Sequence, residues 1–244
     1  MQLELSPEHD ASELNARYRE RGRLQIRDVL TESSAEAILA ELKRLPWGVA
    51  FNTDQGVVEL DAGQLSRLSP QQAQQMLAQV QRRAQSNFQF LYSYFPLFAA
   101  YFRPQREDMA IFRAYEFINS PAVLEFVRSV TGLPTIRWAD AQATRFRAGD
   151  FLKYHTDEAP GLNRVAAYVL NLTKGWGRDW GGYLQFFDER YDVEQAFRPV
   201  FNALNIFTIP ADHSVSMVST YAPENRYSIT GWFREDDPPG PIGR

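Results

Sequence analysis

Cysteine is absent from the 244 residues. That absence excludes disulfides, zinc–thiolate sites, iron–sulfur clusters and thiol nucleophiles together, so any metal must be held by histidine, aspartate or glutamate. Histidine is scarce, with three residues in all. Basic residues are not in excess: 26 Lys and Arg against 30 Asp and Glu leave a net charge of -4. This balance argues against a general polyanion binder, and no nucleic-acid partner is implied. A long apolar run is missing too. The longest uncharged stretch, 84–102, is interrupted by Gln85, Ser86, Asn87, Gln89, Ser93 and Pro96, and predicts buried core rather than a membrane span. The opening stretch, Met1 to Pro7, has neither a basic n-region nor an apolar h-region, so a cytoplasmic protein is expected.

What is present is apolar and aromatic. Hydrophobic residues make up 44% of the chain and aromatics 14%, enough for one sizeable core, and a single large domain is predicted. The first half carries helix signals. Residues 11–22 read as a helix with Arg17, Arg19, Arg21, Arg23 and Arg27 crowded around Glu20; a solvated face is the plain reading and contact with an acidic partner the other. Ser33-Ser34-Ala35-Glu36 predicts a capping box opening a helix to Leu45. Ser69-Pro70 and Ser120-Pro121 each pair an N-cap with a first-turn proline, and Gly132 stands where the second of these helices should end. Between them, 47–52 and 57–60 flank Thr53-Asp54-Gln55-Gly56 as a hairpin with the look of a flap.

From Thr135 the texture changes to short β-rich runs broken by Gly, Pro, Asn and Asp about every ten residues, as in a sandwich or barrel. The predicted class is mainly β with helical additions (α+β). Residues 1–134 form the helical support and hairpin within the same domain, 135–234 the β core, and 235–244 a disordered tail. Arg164 to Leu172 is apolar enough for a strand covered on both faces.

Within the β half, Phe151-Leu152-Lys153-Tyr154-His155-Thr156-Asp157 holds the one His-x-Asp pair in strand-like surroundings. On an extended strand, residues two apart share a face about 6.6 Å apart, so His155 and Asp157 can converge on one target. An imidazole beside a carboxylate is a metal-ligand pair, and a second histidine would complete the facial Fe(II) triad, which leaves positions open for co-substrate and oxygen. His213 is the candidate, at the start of a strand on which Val215 and Met217 share its face. His9 lies in polar surroundings and reads as a surface residue.

Arg226 opens the apolar segment Tyr227-Ser228-Ile229-Thr230-Gly231-Trp232-Phe233. A buried guanidinium needs an anion. Its planar fork holds a carboxylate through two parallel bonds, and Ser228 on the same face adds a donor; an internal salt bridge is the alternative. Asn171, in another apolar run, must bond either backbone or a ligand.

The order of these parts resembles the Fe(II)- and 2-oxoglutarate-dependent oxygenases, above all their prolyl hydroxylase branch. Gly149-Asp150-Phe151-Leu152, Trp180-Gly181-Gly182-Tyr183-Leu184 and Arg226-Tyr227-Ser228-Ile229-Thr230-Gly231-Trp232-Phe233 are similar to segments of the ribosomal-protein prolyl hydroxylases and their bacterial relatives. The resemblance implies a double-stranded β-helix, or jelly roll, with iron held by His155, Asp157 and His213 and the distal carboxylate of 2-oxoglutarate held by Arg226 with Ser228. It implies O2 as co-substrate, admits ascorbate as an added reductant, and points to a protein substrate, with a component of the translation machinery as the expected partner. Where the related enzymes place a tyrosine after the His-x-Asp loop this chain has Asn171, whose amide has a shorter reach. Asp157 favours hydroxylation over halogenation. Two other functions stay open: hydroxylation of a free amino acid or other small molecule, and a non-catalytic jelly-roll binding module. A cupin is disfavoured, because no closely spaced His-x-His followed by Glu occurs.

Overall fold

The computed structural model describes residues 2–158 and 161–243. From the N-terminus, α1 (Ala11–Arg21), β1 (Arg23–Arg27) and α2 (Glu32–Leu42) precede a hairpin of β2 (Gly48–Thr53) and β3 (Gly56–Leu60). Next come α3 (Ala62–Ser66), α4 (Pro70–Ala84), β4 (Phe90–Phe95), α5 (Leu97–Tyr101), α6 (Phe112–Ile118) and α7 (Pro121–Thr131). The remaining strands are β5 (Trp138–Ala139), β6 (Gln142–Phe146), β7 (Phe151–His155), β8 (Arg164–Asn171) and β9 (Leu184–Phe187), then β10 (Val193–Phe197), β11 (Ala203–Thr208), β12 (His213–Val215) and β13 (Arg226–Arg234).

Local chemistry sets the helix ends. The Ser69 hydroxyl accepts from the Gln72 N–H while the Gln72 side chain reaches back to the Ser69 N–H, a complete capping box opening α4. Gly132 closes α7 with φ 69°, a left-handed position that suits glycine. The capping box predicted at Ser33 does not form. Helix α2 starts earlier, behind Thr31, which places Ser33 inside its first turn, with its hydroxyl 3.4 Å from that of Thr31.

Among the described residues the strands form one antiparallel sheet in the order β1-β11-β8-β13-β6-β4-β7-β12-β9-β10, with β2 and β3 added beside β4 and β5 beside β13. The sheet curls into a nearly closed, jelly-roll-like barrel. Residues 84–102, expected as buried core, turn out to supply strand β4, inserted between β6 and β7 through Ser93↔Arg145 and Phe90↔Leu152. The signal was in the sequence as the period-two series Phe88, Phe90, Tyr92, Tyr94. The hairpin falls where predicted and is anchored in the sheet, since β2 pairs with β4 and is largely buried.

Two apolar layers result from the alternation of side chains along each strand. On β13, Tyr227, Ile229 and Phe233 pack with Tyr168 and Leu170 of β8 against the helices. The opposite face looks into the barrel, where Ala167, Val169, Phe186 and Phe207 form a second core. No described helix is long and apolar enough to cross a membrane.

Candidate metal centre and active site

A cavity of about 190 Å³ occupies the barrel interior, floored on one side by His155, Asp157 and His213 and on the other by Arg226 and Ser228. Neighbouring strands bring these together in register. His213 of β12 pairs directly with His155 of β7, and their rings are 4.0 Å apart. The structure corrects one expectation here. Asp157 does not continue the strand: β7 ends at His155, and Asp157 takes a left-handed backbone with φ 60°, a conformation an aspartate adopts at modest cost. It is this turn that folds the carboxylate back onto both imidazoles. A second correction concerns β12, which ends at Val215 with a register irregularity, so that Met217 is 55% exposed instead of sharing the inward face.

The donor set has the chemistry of a metal site. One ligating atom from each residue lies within 4.8 Å of the others. His155 Nδ1 is 2.9 Å from the Lys153 carbonyl and His213 Nδ1 is 2.7 Å from the Ala211 carbonyl. A carbonyl only accepts, so each Nδ1 carries the proton and each Nε2 turns a lone pair toward the carboxylate, at 3.2 Å from Oδ1 and 3.4 Å from Oδ2. Lone pairs facing a carboxylate call for a cation between them. A proton on each Nε2 can stand in for that cation: burial alone would raise the Asp157 carboxyl, but hydrogen bonding and charge from imidazoles protonated in this way hold it well below the usual carboxylate range, as a bound cation would. The Trp232 indole N–H fixes its orientation, donating to Oδ2 at 3.1 Å. Trp232 is held in turn by the Asp140 carboxylate on its backbone N–H at 2.8 Å and by the Arg164 guanidinium 3.5 Å over its ring.

Across the cavity, the register of β13 with β6 places Arg226 beside Phe146, Ser228 beside Thr144 and Thr230 beside Gln142, and all six side chains line the wall. Arg226 is 2% exposed. One amino group donates to the Asn171 side-chain oxygen at 3.3 Å, the Nε–H has no acceptor, and no carboxylate partners it among the described residues. Burial is the cause that lowers its pKa, to about 10, so it is a cation at neutral pH. The salt-bridge alternative for Arg226 is therefore not what the structure shows. Ser228 shares a 2.8 Å hydrogen bond with Thr144. Asn171 sits behind Arg226, fully buried and not lining the cavity; its amide N–H groups reach the Val169 and Ala203 carbonyls at 3.4 and 3.3 Å. His9, half the molecule away in sequence, has its ring against Phe126 and the Asp28 carbonyl.

The sequence left Phe90, Tyr92 and the bracing role of Trp232 unassigned. A ladder of rings runs from the surface inward along β4 to β6: Phe88 just ahead of β4, 41% exposed and 5.6 Å from His155, then Phe90 and Tyr92 of β4 and Phe146 of β6, each ring 5.1–5.8 Å from the next. Burial pushes the Tyr92 phenol up to about 12, so it stays neutral.

Two imidazoles and a carboxylate at the floor of a jelly-roll barrel, facing a buried and unneutralised arginine, define a non-haem iron oxygenase site of the 2-oxoglutarate type. Residues 141–234 match the family described as the 2OG-Fe(II) oxygenase superfamily. The mouse prolyl 3-hydroxylase OGFOD1 is 31% identical over 128 residues, which cover 50% of this chain and 22% of the mouse protein. A Pseudomonas putida prolyl-4-hydroxylase shares the fold with a TM-score of 0.60 at 19% identity, over 93% of this chain and 100% of that one. So does a Trichoplax adhaerens prolyl hydroxylase solved with a hypoxia inducible factor peptide, with a TM-score of 0.61 at 16% identity over 92% and 89%. Residues 141–234 thus carry the match to the 2OG-Fe(II) oxygenase superfamily, whose cofactor set is Fe(II), 2-oxoglutarate and O2, and the chain spans about a fifth of the mouse relative's length.

Proposed function

We propose that this protein is an Fe(II)- and 2-oxoglutarate-dependent dioxygenase that hydroxylates a prolyl residue of a protein, a component of the translation machinery in the cytoplasm. The observation that carries the reading is the pairing, in one cavity, of the His155–Asp157–His213 cluster with a buried guanidinium that has no carboxylate of its own. When bound, the family's iron and co-substrate supply the oxidative decarboxylation of 2-oxoglutarate to succinate and CO2, coupled to insertion of one oxygen atom into a C–H bond.

The chain's own residues do the rest. The carbonyls of Lys153 and Ala211 fix the two imidazole tautomers so that both Nε2 atoms would ligate, and Trp232 would hold Asp157 by Oδ2. Arg226 would take the distal carboxylate of the co-substrate through its fork, with Ser228 as a neutral donor and Asn171 steadying the guanidinium from behind. The rings of Phe88, Phe90 and Tyr92 form an apolar entry that suits a pyrrolidine ring and excludes water. Asp157 and Arg226 are the only residues of formal charge lining the cavity among the described residues. A free amino acid would require partners for its ammonium and carboxylate as well, so this lining favours a peptide-borne proline. The similarity to mouse OGFOD1 and to the Trichoplax enzyme supports the same choice.

Anaerobic titration of the protein with Fe(II) and 2-oxoglutarate tests the chemistry. A visible charge-transfer band should appear, and His155→Ala, Asp157→Ala and His213→Ala should each lose it together with succinate release while staying folded. Activity retained in His213→Ala would reassign the third ligand. Comparing the proteomes of cells with and without the gene should reveal a prolyl residue one oxygen atom heavier in a translation component. No such peptide, together with efficient hydroxylation of free proline, would replace the protein substrate by a small molecule.

A further inference from the structure

Sharing no lining residue with the cavity, an open groove of about 730 Å³ runs along the seam of the barrel. The seam is where β1 and β10, the two ends of the sheet, face each other. Side chains close it: Arg23 Nε donates to Gln195 at 2.7 Å and the Gln25 amide to the Arg198 carbonyl at 2.9 Å. Six guanidiniums line the groove, from Arg17, Arg21, Arg23, Arg27, Arg178 and Arg198, and no lysine does. Two carboxylates stand against them. Glu20 lies in the lining, and Glu194 is shared by Arg21 and Arg23. Arg17, Arg27 and Arg178 are exposed and form no ion pair among the described residues. A chain of net charge -4 has thus concentrated positive charge, from three separate stretches, on one surface.

The charge is also shaped. Arginine forks match phosphate oxygens two at a time, a geometry that a point charge lacks. Tyr183 lines the groove with its ring fixed by a 2.8 Å bond from its hydroxyl to the Arg178 carbonyl, offering a face on which a base can stack. An acidic peptide would use the charge but not the stacking face. We infer that this seam groove binds a single-stranded nucleic acid through its phosphates, at a site separate from the oxygenase cavity. The inference stands on these residues alone and does not depend on prolyl hydroxylation.

One ring separates the two sites. The Arg23 guanidinium lies 4.7 Å over the Phe186 ring, whose inner side is 6.2 Å from the His213 ring. A strand in the groove would rest against the outside of the wall that carries a candidate metal ligand, without entering the cavity.

The test uses the full chain and a fluorescein-labelled oligouridylate of about 20 nucleotides, just longer than the roughly 16 nucleotides the largest comparable sites occupy. Binding, read by anisotropy, should weaken steeply with salt and should be indifferent to saturating 2-oxoglutarate. Replacing Arg17, Arg27 and Arg178 together by glutamine should weaken it about tenfold or more at low salt and lower the log–log salt slope by about 2, from roughly 0.7 per phosphate contact. The same change at Arg67, Arg82 and Arg190, exposed arginines outside the groove, should cost less than about twofold. Equal losses from the two triple variants would overturn the proposal. So would competition by polyglutamate of matched length as effective as unlabelled oligouridylate, which would make the partner an acidic protein. Single R27Q and R178Q variants carry the same comparison should the triple variant misfold, each with a smaller loss than the triple but a larger one than R67Q.

Discussion

Strand β13 carries an arginine at each end, and the two have opposite fates. Arg234 bonds Asp236 through two nitrogens at 2.9 and 2.7 Å, lies 3.6 Å from Asp140, and stacks over Trp138. Arg226, eight residues earlier on the same face, has a neutral amide oxygen and an orphaned Nε–H. Hydrogen bonding to Asp236 raises the pKa of the first, while burial lowers that of the second. One end has its counter-charge built in; the other has been left to a ligand. A folded chain keeps a desolvated, uncompensated cation at a cost of several kcal/mol, so its retention inside a cavity marks a place where something anionic belongs.

The sharpest way to break this contrast is Arg226→Met. Co-substrate affinity, measured by titration against a fixed iron concentration, should fall by about 2–5 kcal/mol, or roughly thirtyfold to several-thousandfold. The metal-free protein should meanwhile gain about 1–2 kcal/mol of unfolding free energy in urea, the loss of the unpaired charge being partly offset by the donor taken from Asn171. A protein destabilised by this change would show the arginine to be structural. In the middle of the strand, Trp232→Phe keeps an aromatic ring but removes the donor to Asp157, and Fe(II) affinity against a chromogenic chelator should drop about 10- to 100-fold. Affinity for 2-oxoglutarate at saturating iron should be little changed.

At the far end, Arg234→Met should do the reverse of Arg226→Met. It leaves the Asp140 and Asp236 carboxylates without their cation and should cost about 1–2 kcal/mol of stability, tempered by the partial exposure of Asp236, with co-substrate affinity intact. The smallest effect is a pH dependence. The Arg234 bonds depress the Asp236 carboxyl below the usual carboxylate range. Its contribution is fully present above the unfolded value of about 3.9 and is lost as pH falls through the folded value. Wild type and Asp236→Asn should therefore differ in urea midpoint at pH 7 and converge in acid. The Arg226 end, lacking a carboxylate, should show no such window.

The sequence revealed chemistry better than path. His155, Asp157, His213 and Arg226 were legible because a metal without thiolates restricts the ligands to few residues, and because a charge in an apolar run announces its own cost. The bounds of β13 were legible as well, since its residues alternate between two buried layers. What escaped was what depends on distant pairing. Asp157 was expected on an extended strand, whereas a left-handed turn just past β7 brings its carboxylate to two imidazoles, one of them 56 positions downstream. Asn171 was open between backbone and co-substrate; on the inward face of β8 its amide reaches the Val169 and Ala203 carbonyls while Arg226 claims its oxygen. Nothing local marks either outcome. The aromatic series of β4 was visible as a period, but not its destination between two strands some fifty residues downstream.

That insertion has a consequence for how the molecule comes into being. Because β4 separates β6 from β7, and β1 closes onto β11 about 180 residues away in sequence, as the Arg23↔Phe207 pairing records, neither half can complete the barrel by itself. Loop closure over such spans is entropically expensive and makes folding slow relative to proteins built from local contacts. The stretch that carries every candidate iron ligand lies between β4 and β13 in sequence, so it is not enclosed until β13 has joined β6 and β8. The iron site would then be among the last parts of the barrel to form, and metal present during synthesis would bind only once β13 is in place.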